Sequence, residues 1–269
     1  MGDVLFSNAE PLEGSFLEMM ELEEIDTNIY RAGYVFEEPY ALYGGQVAAQ
    51  SLLAAALTVD EDRAPHSLHG YFLRPGNASR PTVFQVFRDR DGRSYSARRV
   101  VALQGGQVIF NMSASFTIGE ESPDLHEPTA AQQSAVRLGA PTIIPRMFAF
   151  EGRSTDQVRP APDYPMRFWA RCTEELGDSQ LMHTCALTYL SDIGSGLGSY
   201  NTDEYKSMSS LDHAIWFHRP VDMNDWVLTD FAPRSAARGR GLYGGDMTAL
   251  DGTLVASVAQ ESLYRRVRK

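Results

Sequence analysis

The chain has 269 residues, a formal net charge of −11 and a composition that is 43% hydrophobic and 22% charged. This length is enough to bury a substantial core, and the composition is typical of a globular protein rather than a disordered one. The negative net charge argues against nucleic-acid binding, because proteins that neutralise phosphates present a surplus of lysine and arginine. A few local arginines would still suffice to bind a phosphorylated small ligand.

No targeting signal or membrane span is expected from the sequence. Residues 1–10 lack both a basic stretch and an apolar stretch, and the longest apolar run, at 47–59, is too short to cross a bilayer. The two cysteines, Cys172 and Cys185, are too few for a disulfide scaffold, and we expect both to be reduced core residues. The sequence therefore predicts a cytoplasmic protein without integral membrane association.

In chain order, the first half combines one apolar helix pattern with several strand patterns. Residues 27–36 predict a strand, and residues 46–59 predict a helix that is apolar nearly all round, as a helix buried on every side must be. Hairpin turns are predicted at 91–92 and 104–106. The further strands are predicted at 66–74, 82–89, 93–103 and 107–116. One buried helix and a long antiparallel sheet together suggest a sheet wrapped around a helix.

The second half of the chain repeats features of the first. The segment H-S-L-H-G-Y-F-L-R-P at 66–75 is echoed by L-D-H-A-I-W-F-H-R-P at 211–220, which is 145 residues later. At an offset of 146, Y-G-G-Q at 43–46 falls on Y-L-S-D at 189–192, and the turn at 105–106 falls on 251–252. Short matches in the same order predict a tandem duplication, and one bulge or inserted residue explains the change of offset.

The duplication predicts two domains, at 1–118 and 164–269, joined by a connecting segment at 119–163. The connecting segment is rich in proline, but it also contains apolar residues that would be unusual in a free linker. These residues are Ile143, Ile144, Met147, Phe148 and Phe150. We therefore expect the connecting segment to pack across the surface of the protein.

The last strand pattern has a polar residue on its apolar face. In G-T-L-V-A-S-V-A-Q-E-S-L-Y at 252–264, Leu254, Ala256 and Val258 share one face, and Gln260 is next on that face. The duplication aligns Gln260 with Ala114. A buried glutamine needs partners for its amide, at a cost of about 1–3 kcal/mol if they are missing. It is either a core amide bonded to backbone groups or a functional polar residue.

Asp192 is the acidic residue to which the same alignment draws attention. It falls opposite Gln46, at the start of a helix, where a carboxylate would cap free backbone N–H groups. Because residues 193–196 open a helix poorly, Asp192 could instead close a helix that runs from about Asp178. The sequence leaves both interpretations open, and both place Asp192 at a helix end.

Five longer motifs resemble the acyl-CoA thioesterase II (TesB-like) family. They are L-Y-G-G-Q-V-A-A-Q-S-L, H-S-L-H-G-Y-F-L-R-P-G, D-G-R-S-Y-S-A-R-R-V, L-D-H-A-I-W-F-H-R-P and D-G-T-L-V-A-S-V-A-Q-E. The resemblance covers nearly the whole chain and is weakest at 120–165. It implies a double hotdog fold, an α+β architecture of two antiparallel sheets that each wrap around a central helix. The repeated order of strand, helix and four strands agrees with this.

The resemblance also implies an activity and its catalytic residues. The expected reaction is hydrolysis of fatty acyl-CoA to free fatty acid and coenzyme A, without a metal or other cofactor. Thioesterases of this type bind and activate one water with an Asp, a Gln and a Thr or Ser, which match Asp192, Gln260 and Ser210. Ser209 is an alternative to Ser210 if the register differs by one, and Asp212 is the main rival of Asp192.

Two residues at the start of the first helix are candidates for binding the substrate oxyanion. Backbone N–H groups at a helix N-terminus are free to bind an anion, so Gly45 and Gln46 could stabilise a tetrahedral intermediate. A tight turn in which glycine only relieves crowding is the other interpretation.

The sequence leaves open the roles of four histidines and of two segments that contain arginines. A catalytic histidine among His66, His69, His213 and His218 is a minor alternative to ordinary hydrogen-bonded strand residues. The arginines at 96–99 and 238–241 either contact coenzyme A phosphates or lie on solvated strand faces.

Two rival functions also stay open. One is a hotdog hydratase or dehydratase of enoyl thioesters, whose segment of the type Y-R-x-S-G-D-x-N-P is not found in the sequence, and the other is a non-catalytic acyl-CoA-binding protein. In each case we expect a homo-oligomer.

Overall fold

The computed structural model describes residues 12–129, 132, 136–156 and 166–267. Helices in these residues are α1 (Phe16–Met20), α2 (Gly44–Ala56), α3 (Gln180–Ser191) and a 3-10 helix at Ser195–Tyr200. The strands up to residue 117 are β1 (Leu22–Asp26), β2 (Ile29–Ala32), β3 (Ala64–Phe72), β4 (Thr82–Asp91), β5 (Tyr95–Gln104) and β6 (Gln107–Thr117). The later strands are β7 (Leu138–Thr142), β8 (Phe150–Thr155), β9 (Arg167–Cys172), β10 (Tyr205–Ser210), β11 (Asp212–Phe217), β12 (Val227–Ala237), β13 (Arg240–Ala249) and β14 (Leu254–Arg266).

Most of the predicted elements of the first half are confirmed. The helix α2 and the strands β3 to β6 lie where their patterns place them, and Gly105 and Gly106 make the predicted turn with φ angles of +55° and +74°. The strand predicted at 27–36 is shorter than expected and is observed only at Ile29–Ala32, as β2. Helix α1 and strand β1 were not predicted, because each is too short to show a periodic pattern.

The strands of both halves form one continuous sheet rather than the two separate sheets that were expected. Its order is β1-β2-β4-β5-β6-β3-β11-β14-β13-β12-β9-β8-β7, and β10 pairs with β14 outside this path. The two halves meet at β3 and β11, which pair antiparallel and place Leu68 opposite Ile215. Pairing of these two strands satisfies backbone groups that would otherwise form an exposed edge in each half.

Helices α2 and α3 pack against each other and lie in the core. All residues of α2 from Gly45 to Ala55 are buried, which confirms the prediction of a helix buried on every side. The N-terminal end of α2 meets the C-terminal end of α3, where the Tyr43 hydroxyl donates to the Tyr189 carbonyl oxygen at 2.8 Å. The two tyrosine rings pack edge to face with centroids 5.3 Å apart. Opposite ends of the two helices therefore lie together.

Three buried residues lie side by side across β3, β6 and β5. Leu68 of β3 is opposite Ala114 of β6, and Ala114 is in turn opposite Arg98 of β5. All three side chains are buried. We refer to Leu68, Ala114 and Arg98 as the first-half row.

The corresponding strands of the second half carry a row at the same place. Gln260 of β14 is opposite Tyr243 of β13. On the other side of β14 the side chain of His213 from β11 hydrogen-bonds to that of Gln260. His213, Gln260 and Tyr243, which we call the second-half row, follow the members of the first-half row by 145 or 146 positions. This agreement in strand register supports the tandem duplication.

The offset of 145 or 146 residues that relates the strands of the two halves does not relate their helix ends. The alignment of residues 43–46 with residues 189–192 is therefore corrected. Asp192 closes α3 as its C-cap, whereas Gln46 lies in the first turn of α2. Helix α3 begins early because the Ser179 side chain accepts a hydrogen bond from the Met182 N–H and caps the helix. After Asp192, Gly194 adopts a φ of +71°, which a helix cannot continue. The match of Y-G-G-Q with Y-L-S-D is therefore not between equivalent helix positions.

The connecting segment contributes strands to the sheet. β7 and β8 pair with each other, and β8 pairs with β9. Ile144, Met147, Phe148 and Phe150 are buried, whereas Ile143 is exposed. These contacts confirm that the described part of the segment packs on the protein.

The state of the two cysteines and the lengths of the helices can be compared with the sequence. Cys172 and Cys185 are free and buried, as expected. No helix in the described parts of the chain is long and apolar enough to cross a membrane.

Candidate active site

A cavity of about 410 Å³ opens where the N-terminal end of α2 meets the C-terminal end of α3. Its wall is largely apolar and comes from both halves of the chain, with Val47, Phe72 and Phe110 among the residues of the first half. Asp192 is the one acidic side chain among the described residues that line it. An apolar cavity with a few converging polar groups is the usual form of a small-molecule site.

The carboxylate of Asp192 is held by two side chains from neighbouring strands. The Ser210 hydroxyl at the end of β10 donates to Asp192 Oδ1 at 2.9 Å. The side-chain amide of Gln260 on β14 donates from Nε2 to the same oxygen at 2.7 Å and to Ser210 Oγ at 2.6 Å. Three residues that are 18 to 68 positions apart in the chain thus form one closed hydrogen-bonded triangle.

Burial makes Asp192 a weaker acid than an ordinary aspartate. Desolvation raises the pKa of Asp192 from 3.8 to about 6, because the charged form loses its contact with water. Hydrogen bonds from Ser210, Gln260 and the Gly45 backbone N–H, together with the charge of Arg146, pull in the opposite direction. The carboxyl group is therefore ionised at neutral pH and poised close to its titration.

Two glycines allow the start of α2 to approach Asp192. A Cβ atom at Gly44 would lie 2.2 Å from Asp192 Oδ2 and 2.7 Å from the Phe72 ring. A Cβ atom at Gly45 would lie 2.3 Å from the Tyr189 carbonyl oxygen. Because these distances are far inside van der Waals contact, only glycine lets the helix lie against the carboxylate. Crowding thus explains both glycines in the Y-G-G-Q motif.

A second layer of polar groups lies behind Gln260. Its Oε1 hydrogen-bonds to His213 Nδ1, and His213 Nε2 lies 2.7 Å from the Ser191 hydroxyl at the end of α3. Burial lowers the pKa of His213 to about 4, so the ring is neutral at neutral pH. Gln260 and His213 are 0% and 1% exposed, and each finds side-chain partners. The glutamine that breaks the apolar face of its strand is therefore fully hydrogen-bonded.

Arg146 of the connecting segment lines the cavity beside Asp192. Its guanidinium pairs with Glu38 and donates to the Ala41 carbonyl oxygen, while it also stacks over the Tyr40 ring. Both charged side chains of this pair are almost fully buried. The ion pair fixes the connecting segment to the loop before α2, so this segment forms part of the cavity wall.

The structure separates the predicted catalytic residues from their rivals. Ser210 is part of the triangle, whereas Ser209 is exposed and lines the cavity. Asp212 Oδ1 accepts a hydrogen bond from the Glu261 backbone N–H at 2.6 Å, which is a structural contact within the sheet. Gly45 and Gln46 are both buried, and neither is among the residues lining the cavity.

The structure also gives hydrogen-bond partners to histidines and arginines whose roles the sequence left open. His66 and His218 bond to Ser115 and Ser257 respectively, away from the cavity. Arg98 is 1% exposed and bonds to Thr58 and Asp91, so the interpretation of this residue as a phosphate contact or a solvated strand residue is wrong.

Sequence reasoning missed three contributors to the site. Gly44 was visible only as half of a glycine pair, and its contact with Asp192 joins residues far apart in the chain. Arg146 lies in the part of the chain with the weakest resemblance, so no motif drew attention to it. His213 was expected to be an ordinary hydrogen-bonded strand residue or, as a minor alternative, a catalytic histidine, but its partner Gln260 was not foreseen, although alignment of the strand registers would have placed the two side by side.

Comparison with known proteins identifies the family to which this chain is related. The family model described as "Acyl-CoA thioesterase N-terminal domain" matches residues 37–117, and "Acyl-CoA thioesterase C-terminal domain" matches residues 120–264. The chain belongs to the TesB-like acyl-CoA thioesterase family. Membership places it among the thioester hydrolases and confirms the resemblance seen in its motifs.

Curated relatives agree with this assignment over most of their length. Acyl-coenzyme A thioesterase 8 of Homo sapiens is 32% identical, with 92% of this chain and 88% of the relative covered. Acyl-CoA thioesterase 2 of Haemophilus influenzae is also 32% identical, with 93% of this chain and 97% of the relative covered.

Solved structures show the same fold. Acyl-CoA thioesterase II TesB2 from Mycobacterium marinum superposes with a TM-score of 0.76 at 38% identity, covering 93% of this chain and 96% of that one. A protein described as having a hot dog fold, from Alicyclobacillus acidocaldarius, superposes with a TM-score of 0.69 at 19% identity, covering 96% and 100%. The thioesterase family and the large antiparallel sheet with few helices together show a hotdog fold.

Proposed function

We propose that this protein is a fatty acyl-CoA thioesterase in which Asp192, Ser210 and Gln260 activate one water molecule. The observation that carries the proposal is the triangle in which Asp192 Oδ1 accepts from both Ser210 and Gln260, with Asp192 and Ser210 lining the cavity and Gln260 buried behind them. The carboxylate has a pKa near the range in which a general base works best. The apolar cavity beside it suits an acyl chain.

In the proposed reaction, water is both the nucleophile and the source of the transferred proton. Asp192 removes a proton from a water held by the Asp192 carboxylate and the Ser210 hydroxyl, both of which the Gln260 amide orients. The water oxygen meanwhile attacks the thioester carbonyl carbon. The tetrahedral oxyanion then collapses and the carbon–sulfur bond breaks. Coenzyme A leaves as a thiolate and takes up the proton from Asp192 or solvent. The products are a fatty acid and coenzyme A, and no covalent acyl-enzyme is formed.

The developing oxyanion requires hydrogen-bond donors, for which we propose the backbone N–H groups of Gly45 and Gln46. Both belong to the first turn of α2, where N–H groups lack partners within the helix. The Gly45 N–H is hydrogen-bonded to the carboxylate of Asp192, so in this proposal its single hydrogen is shared between the base and the oxyanion. Mutational losses at comparable donors are about 100- to 1000-fold in kcat.

We also propose that the chain is a double hotdog, with domains at 1–118 and 164–269 and a connecting segment at 119–163. The matching first-half and second-half rows and the two central helices support this division. The predicted homo-oligomer and the cytoplasmic location remain predictions.

One assay distinguishes the proposed function from its two alternatives. The protein is incubated with a saturated fatty acyl-CoA while released thiol is titrated, and in parallel with an enoyl-CoA whose conjugated absorbance is followed. A thioesterase releases thiol from the first substrate at many turnovers per protein molecule. Loss of enoyl absorbance without thiol release would indicate a hydratase, and tight binding with neither reaction would indicate a binding protein.

A further inference from the structure

The amide of Gln260 can perform its proposed role in only one orientation. Its Nε2 must face Asp192 Oδ1, at 2.7 Å, and Ser210 Oγ, at 2.6 Å. Rotation of the amide by half a turn would place Oε1 against the carboxylate oxygen, where two acceptors repel each other and no hydrogen bond is possible. Asp192 itself is therefore one of the groups that set this orientation. The other group is on the far side of the amide.

That other group is the imidazole ring of His213. Its Nδ1 contacts Gln260 Oε1, which can only accept, so Nδ1 must carry a hydrogen. The ring is buried and neutral, so Nε2 carries none and can only accept. The Ser191 hydroxyl lies 2.7 Å from His213 Nε2 and 2.8 Å from the Thr188 carbonyl oxygen, and in this tautomer it donates to His213. Ser191 is the last residue of α3 and directly precedes Asp192. The hydrogen bonds therefore run from the helix end through His213 and Gln260 back to Asp192.

We propose that His213 is a positioning residue, which keeps the amide nitrogen of Gln260 directed at Asp192 and Ser210. This inference rests on the proposed thioesterase function and deepens it. The first half of the chain offers a natural comparison, because its row has Leu68 and Ala114 where the second-half row has His213 and Gln260. The histidine and the glutamine are thus present together in one half and replaced together by apolar residues in the other. Joint presence in one half and joint replacement in the other is what we expect if the histidine and the glutamine act together.

The kinetic test uses His213→Leu, His213→Asn, Gln260→Ala and the double variant His213→Leu/Gln260→Ala. Leucine is the residue of the first-half row, and asparagine keeps an N–H donor close to the position of Nδ1. We expect His213→Leu to lower kcat by about 10- to 100-fold with little change in KM, since the lost contact orients the catalytic groups. His213→Asn should recover most of this loss. In the Gln260→Ala background, His213→Leu should lower kcat by less than about threefold.

Leu68→Ala is the matched control for a merely structural effect. It removes a buried side chain at the equivalent place in the first-half row, so it should lower the melting temperature but leave kcat per folded molecule unchanged. A loss of kcat in His213→Leu that is equal in both backgrounds would overturn the proposal. Near-normal kcat in His213→Leu would also overturn it.

A second measurement tests the geometry without reference to activity. Nitrogen-15 NMR of the imidazole rings in the wild-type protein, assigned with the His213→Asn variant, reports which ring nitrogen is protonated. We expect His213 to be the neutral tautomer with hydrogen on Nδ1 at neutral pH. An imidazolium or a hydrogen on Nε2 would contradict the proposed role even if the enzyme is active. Absence of thiol release by the wild type would instead contradict the proposed function.

Discussion

The two halves of the chain place different chemistry at the end of their central helices. In the first half, Arg98 donates from Nε to Thr58 Oγ at 2.8 Å and from its terminal nitrogen to the Thr58 carbonyl oxygen at 2.9 Å, just beyond α2. In the second half, Gln260 donates to Asp192, just beyond α3. The same point in the fold therefore holds a buried cation in one half and a buried carboxylate in the other.

The difference shows what the second half gives up in stability. The C-terminal end of a helix carries free carbonyl groups and a partial negative charge, so it favours a cation such as Arg98. A carboxylate at the same place gains nothing from the helix and loses its hydration, and the raised pKa of Asp192 reflects that desolvation. Groups that are kept in unfavourable surroundings with shifted pKa values are typical of functional sites.

Replacement of Asp192 by Asn should produce the largest loss of activity. The variant keeps the volume and the acceptor for Ser210 and Gln260 but removes the base, so turnover should fall by about 100-fold or more. Steady-state thiol release measures this effect. Near-full activity in a folded variant would mean that Asp192 only ends its helix, and Asp212 would then be the next residue to replace.

The same variant should not be less stable than the wild type. Because burial raises the pKa of Asp192 from 3.8 to about 6, the folded protein holds this proton more tightly than the unfolded chain does. The ionised carboxylate therefore costs stability that grows as the pH rises between these values and reaches roughly 3 kcal/mol at neutral pH. A thermal melt at neutral pH should show an unchanged or higher melting temperature.

Replacement of Gln260 by Ala should have the next largest effect, and it gives the second half the residue that the first half has at Ala114. If Gln260 acts in catalysis, kcat should fall by about 10- to 1000-fold, while KM changes little and the melting temperature stays within a few degrees. If it is only a core amide, stability should fall instead. An unstable protein with normal turnover per folded molecule would refute the catalytic role.

Replacement of Arg98 by Met should affect stability and leave the chemistry unchanged. The Thr58 groups and Asp91 would lose a buried donor, at a cost of about 3 kcal/mol, which corresponds to roughly 5–10 °C in melting temperature for a chain of this size. Thiol release per folded molecule should not change. Arg99→Met is the matched control, because Arg99 is exposed beside Asp89 and should melt close to the wild type. Lost turnover in a folded Arg98→Met protein would show that Arg98 contributes to catalysis as well as to stability, which would contradict the contrast between the two halves.

Local patterns predicted the parts of the structure that depend on neighbours in the chain. Alternation along β14 was enough to show that Gln260 lies on a buried face, and the composition of α2 was enough to show that it is buried. The resemblance then brought Asp192, Ser210 and Gln260 to attention, and the structure places them together.

Features that depend on contacts between distant segments were beyond local patterns. The pairing of β3 with β11 joins the halves into one sheet, but no residue pattern distinguishes a paired edge from a free one. The position of α3 was left open between two interpretations, and the one in which Asp192 closes a helix from about Asp178 is confirmed. Local patterns could not choose between them, because strand register is held by the apolar faces and helix ends are not. Gly44 and Arg146 approach Asp192 only in the folded chain.

The dependence of kcat on pH tests the central claim, that Asp192 is the general base, most directly. Thiol release at saturating acyl-CoA, measured from roughly pH 4 to pH 8 with a melt in each buffer, should fall tenfold per unit below an apparent pKa of about 6 and be level above it. The rate falls on the acid side because only the ionised carboxylate can accept the proton. A fall that begins only near the pKa of His213, at about 4, or a rate that does not depend on pH while the protein stays folded, would contradict the claim.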